Sequence, residues 1–124
     1  MAAAFNIFAA AIVILSLIAG GFCQCELSNI VISQRLTGFQ IHGQAEYEVS
    51  IVNDCPCTQS DVVIHCPGFS TTLAVNPSIW QPTDGDLCSF ISGEPVFYGE
   101  TIKFKYASDP PCALTPASSR ISCS

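Results

Sequence analysis

From Gln24 onward no ten consecutive residues run at helical period without a Gly or Pro, so helical architectures drop out at once. What remains is alternation of period two, the pattern of a strand with one face in a core and the other in water. Glu46-Tyr47-Glu48-Val49-Ser50-Ile51 places Tyr47, Val49 and Ile51 on one face and Glu46, Glu48 and Ser50 on the other. Thr101 to Tyr106 repeats the pattern, with Ile102, Phe104 and Tyr106 inward. Further strands are expected at Leu27 to Gln34, Asp61 to Cys66, Thr71 to Val75, Leu87 to Ile91 and Ser118 to Cys123, each rich in Val, Ile, Leu or Thr. Turn chemistry separates them: Thr37-Gly38, His42-Gly43, Asn53-Asp54-Cys55-Pro56, Pro67-Gly68, Asn76-Pro77, Asp84-Gly85, Ser92-Gly93, Tyr98-Gly99 and Asp109-Pro110-Pro111. About seven short strands, with a turn about every ten to twelve residues, predict an all-β, antiparallel two-sheet sandwich.

The 8 cysteines say what stabilises it. Cys25, Cys55, Cys57, Cys66, Cys88 and Cys123 fall at expected strand ends, where bridges join sheets without breaking ladders. Six cysteines allow 15 pairings, and although a Cys55 to Cys57 bridge would close a strained ring, the rest stay open. Three disulfides would contribute about 6–12 kcal/mol, comparable with the net stability of a domain of this size. A zinc site from Cys55, Cys57, His65 and Cys66 is the competing use. Its C-x-C then H-C spacing departs from the usual ligand pairs, and adjacent His65 and Cys66 point to opposite faces of a strand. No metal is expected.

Between Met1 and Phe22 there is no charged side chain, so all 4 basic and 10 acidic residues, and the net charge of −6, belong to the residues after Phe22. Phe8 to Ala19 has the length and apolarity of a secretory h-region and is followed by the small residues Ala19, Gly20 and Gly21. Residues 1–23 therefore read as a signal peptide, cut after Gly21 or after Cys23, with 24–124 as one cysteine-rich β domain in an extracellular, oxidising compartment. Without cleavage, Ala2 to Phe22 could nearly span a bilayer; after it, no membrane association is expected. The cut after Cys23 leaves seven cysteines and an odd thiol, and the cut after Gly21 leaves eight. With Arg35, Lys103, Lys105 and Arg120 as the only Lys and Arg side chains, nucleic acid and anionic membranes are unsuitable partners.

Catalytic constellations are missing. There is no G-x-S-x-G, the two histidines His42 and His65 lie in a turn and on a strand, and Glu46 with Glu48 is simpler as alternating surface charge than as a glycosidase pair. Asp84-Gly85-Asp86 lacks the further ligands of a calcium loop. The chain is expected not to be an enzyme and to need no cofactor. Trp80, Phe39, Phe69 and Tyr98 lie in or beside expected loops, where they would either plug the ends of the sandwich or bind a sugar or a protein. Trp80, between Pro77 and Pro82, is the expected exposed anchor; with Asp84, Asp86, Glu46 and Glu48 it makes an acidic partner-binding candidate.

Several stretches in order carry a family resemblance: Gln24-Cys25-x-Leu-x-x-Ile-x-Ile-Ser-Gln34, Gly43-x-x-Glu-Tyr-x-Val-x-Ile-x-Asn53, Cys55-x-Cys57-x-Gln-Ser60 and Cys66-x-Gly-Phe69. Cys88, Phe104-x-Tyr-Ala107 and Leu114-x-Pro-x-Ser-Ser119, leading to Cys123, continue the pattern. Together they resemble the TAPETUM DETERMINANT-like family of small secreted plant proteins. The resemblance implies an extracellular, apoplastic ligand of a leucine-rich-repeat receptor kinase acting in reproductive or cell-fate development; the alternative is a cell-wall carbohydrate-binding module. Six cysteines match the family pattern and two do not. Cys23 precedes the usual Gln-Cys start, and Cys112 stands where an aromatic is expected. Cleavage before Gln24 would leave Cys112 as an odd thiol, whereas cleavage before Phe22 would allow a Cys23 to Cys112 bridge.

Overall fold

Residue alternation becomes two antiparallel sheets in the computed structural model, which describes residues 25–123. The expected signal peptide, both cleavage positions and Cys23 lie outside the described residues. The first sheet has the order β1 (Ile30–Ile41), β2 (Gln44–Asn53), β6 (Thr101–Ala107); the second has the order β4 (Trp80–Pro82), β5 (Leu87–Phe90), β3 (Thr58–His65), β7 (Thr115–Ser122). The two strongest alternations form β2 and β6, which pair across the first sheet with Val49 opposite Phe104 and Ile51 opposite Ile102. Their inward side chains meet Val62, Ile64, Cys88 and Phe90 of the second sheet in one core. Ring packing closes it: Trp80 of β4 stacks on Phe104 of β6 at 4.7 Å, and Phe69 tilts against both Trp80 and Tyr106.

Three local features depart from the sequence expectation. Thr71 to Val75 is not a strand: the Thr71 hydroxyl accepts from Leu73 N and donates to Leu73 O, a local closure that competes with a ladder. The segment instead caps the end of β6, with Thr72 N donating to Ala107 O and Ala107 N to the Thr71 hydroxyl. Trp80–Pro82 does form a strand, at the edge of its sheet, where Pro82 breaks no central ladder. Thr37-Gly38 is not a turn. β1 runs through it as a bulge, with the register shifting between Leu36 and Gln40 so that Thr37, Gly38 and Phe39 face Glu46 alone. The reversal comes at His42-Gly43, whose φ values of 51° and 79° make a two-residue hairpin between Ile41 and Gln44.

Candidate interaction surface

At the end of the molecule where β1 begins and β2 finishes, the C-x-C turn is stapled twice. Cys25 bridges Cys55 and Cys57 bridges Cys123, so both ends of the described chain attach to the three residues Cys55-Pro56-Cys57; Cys66 bridges Cys88 within the second sheet. The sulfurs of Cys25, Cys55 and Cys57 lie within 4.8 Å of one another. Of the residues weighed as zinc ligands, each cysteine is taken by a different disulfide, and His65 is exposed.

Beneath the staples, Asn53 and Gln59 are fully buried and fully engaged. The Asn53 amide donates to Cys57 O and Val96 O and accepts from Cys55 N and from Gln59 Nε2, while Gln59 Oε1 accepts from the Ser119 hydroxyl at 2.6 Å. Leaving one such group unpaired costs about 1–3 kcal/mol, so the network fixes the loops around it.

One of those loops spans the gap between the sheets. Val96 is buried and exchanges backbone bonds with Gln59 of β3, and three residues on, Gly99 N donates to Asn53 O of β2 at 2.9 Å. Glu100 N closes the turn onto Phe97 O, and the Glu100 carboxylate accepts from Phe97 N. With its backbone held on both sides, this turn presents Phe97 at 56% and Tyr98 at 63% exposure. Glu94 and Glu100 flank the two rings in sequence, and Asp54 and Glu26 are joined to the same end through Asn29 and Gln59; all four carboxylate residues are exposed. A second exposed apolar pair, Leu36 at 62% and Phe39 at 69%, sits far along β1 at the bulge.

The partner-binding residues expected from sequence do not form one surface. Trp80 is 2% exposed, in the core rather than at the surface, because the short strand it opens turns its ring onto Phe104. Glu46 is buried too: the bulge folds Thr37 over it, and the Thr37 hydroxyl donates to its carboxylate at 2.6 Å. Glu48 stays on the outer face but is engaged by Arg35 at 2.9 Å and approached by Lys103 at 4.0 Å. Asp84 and Asp86 are exposed in the β4 to β5 turn, while the rings of those two strands, Trp80 and Phe90, are buried. Of the four aromatics expected in or beside loops, Phe69 joins the core with Trp80, whereas Phe39 and Tyr98 face solvent. Phe97 is an addition that sequence reasoning does not single out; two adjacent aromatics between Pro95 and Gly99 are the available signal, since alternation cannot bury both.

Charge is unevenly distributed. Arg35, Glu48 and Lys105 align across the first sheet, with Lys103 one pair along on the same face, so three of the 4 cations share that outer face. No Lys or Arg lies in Cys25–Asn29, Asn53–Cys57 or Gly93–Glu100 of the stapled end; the fourth cation, Arg120, is exposed on β7, three residues before Cys123.

Cys112 is buried and, among the described residues, is the one cysteine outside a disulfide. Its backbone is locked from both sides: Cys112 N donates to the Tyr106 hydroxyl, Gln34 Nε2 donates to Cys112 O, and the Tyr106 hydroxyl donates to Gln34 Oε1. Burial pushes the Tyr106 phenol up to about 12, against the opposing effect of the bond from Cys112 N.

Comparison with known proteins places this arrangement among relatives. The family described as Tapetum determinant 1, C-terminal, matches residues 26–124. The chain is 32% identical over 101 residues to TPD1 protein homolog 1 of Arabidopsis thaliana, covering 80% of this chain and 55% of that protein. It is 27% identical over 81 residues to TPD1 protein homolog 1A of Oryza sativa subsp. japonica (59% of this chain, 36% of that protein), and 31% identical over 85 residues to homolog 1B of the same rice (68% and 50%). The chain thus spans about half the length, or less, of these curated relatives. No solved structure matches.

Proposed function

The chain belongs to the Tapetum determinant 1 family, and from that premise we propose that it is a secreted, non-enzymatic signalling ligand for a leucine-rich-repeat receptor kinase in plant reproductive or cell-fate development. The observation that carries this reading is the family match over residues 26–124, which takes in every strand and all three disulfides except the Cys25 end of one. The fold supports it in a specific way. Three disulfides and a satisfied buried network hold loops rigid, and a ligand whose loops are already ordered gives up little entropy on docking.

The test is binding of the whole secreted chain to a panel of the source plant's leucine-rich-repeat receptor-kinase ectodomains, measured by surface plasmon resonance. Saturable binding to one or a few members is the expected outcome, and no binding to any member would overturn the reading. The exposed Phe39, Phe97 and Tyr98 also favour a second reading, a cell-wall carbohydrate-binding module. Saturable retention on a wall polysaccharide, without receptor binding, would select it.

A further inference from the structure

We propose that the Phe97–Tyr98 turn, with its rim of carboxylates, is the surface by which this ligand docks on its receptor, and that it fits an apolar depression bordered by Lys and Arg. This inference rests on the ligand reading above. Two adjacent aromatic rings stand in water on a segment whose backbone is hydrogen-bonded on both sides of them. Val96 ties the segment to one sheet and Gly99 to the other, and the carboxylate of Glu100 tightens the turn between them. Rings on a fixed backbone lose little freedom when covered, which is why such residues dominate binding energy where they occur at interfaces. Together they can contribute on the order of 200 Å² to the ~800 Å² that one partner commonly buries.

Charge decides the partner. Glu26, Asp54, Glu94 and Glu100 share this end of the molecule against one guanidinium, Arg120 of β7, so the end is net acidic. Such a rim repels an acidic surface and draws a basic one into encounter. The rival apolar pair, Leu36 and Phe39, lacks that selectivity: the neighbouring charges Arg35 and Glu48 are already paired with each other. Three of the 4 cations lie on the outer face of the first sheet, so the molecule has an acidic end distinct from its basic face and can be oriented as it approaches.

The experiment uses the whole secreted chain against the ectodomain selected above, with three variants whose altered side chains are exposed. Phe97→Ala with Tyr98→Ala is expected to weaken binding about 30-fold, mostly by faster dissociation. Asp54→Asn with Glu94→Gln and Glu100→Gln keeps the acceptor for Phe97 N and is expected to slow association and flatten its salt dependence. Leu36→Ala with Phe39→Ala is expected to bind within about twofold of the parent. Parent-like binding by the aromatic variant, or a loss confined to the Leu36 and Phe39 variant, overturns the surface while leaving the ligand reading intact. An absence of binding by the parent chain overturns both, so the two failures are told apart. Unchanged disulfide content and melting temperature in all three variants establish that the fold is retained.

Discussion

At the residue scale, neighbouring chemistry assigns opposite roles to side chains that look alike in sequence. Trp80 and Phe39 both sit beside turn residues, yet Trp80 is enclosed by Phe69 and Phe104 while Phe39 is pushed outward by the bulge. Trp80→Ala should cost about 3–5 kcal/mol in urea denaturation, and Phe39→Ala less than about 0.5 kcal/mol. Sequence pattern misplaces Trp80 because its burial depends on a three-residue strand too short to show alternation, and on a stacking partner in the other sheet. Glu46 is misplaced for a related reason: alternation puts it outward, but a hydroxyl from the bulge in the neighbouring strand covers it. Tyr106 gives a pH prediction. Its phenol holds its proton to about 12 in the folded state and to about 10 when unfolded, so between those values the unfolded chain binds fewer protons and stability falls as pH rises. Ultraviolet titration should show one tyrosinate appearing only near pH 12, absent from Tyr106→Phe.

At the element scale, the legible parts are those with local causes. β2 and β6 are evident because a central strand and its neighbour alternate over Tyr47–Ile51 and Thr101–Tyr106, and the His42-Gly43 hairpin because a two-residue loop needs positive φ at both positions. The parts that sequence hides depend on contacts from elsewhere. Thr71 to Val75 has strand composition but spends its hydrogen bonds on itself and on the end of β6, and Thr37-Gly38 has turn composition but lies inside β1. The disulfide pairing is hidden too, because it is set by which loops the two sheets bring to one end. Gly38, at φ +93°, lets β1 pass Glu46 with two extra residues. A side chain there has space but not the backbone conformation, so Gly38→Ala should cost about 1–2 kcal/mol and lower the melting temperature, while Gly38 to a D-alanine in a synthetic chain should not.

At the scale of the whole molecule, the two disulfides on the C-x-C turn have a mechanical consequence. A force applied at the two ends of the domain travels from Cys25 across to Cys55, along Pro56 to Cys57, and across to Cys123. That load path is covalent throughout and holds three consecutive backbone residues, while every strand hangs beside it without tension. The sandwich is therefore two slack loops on a short, inextensible tether, and its hydrogen bonds bear no load when the two ends are pulled. Single-molecule pulling on the oxidised domain should show no unfolding step up to bond rupture. After full reduction, the same pull should release roughly 300 Å of chain.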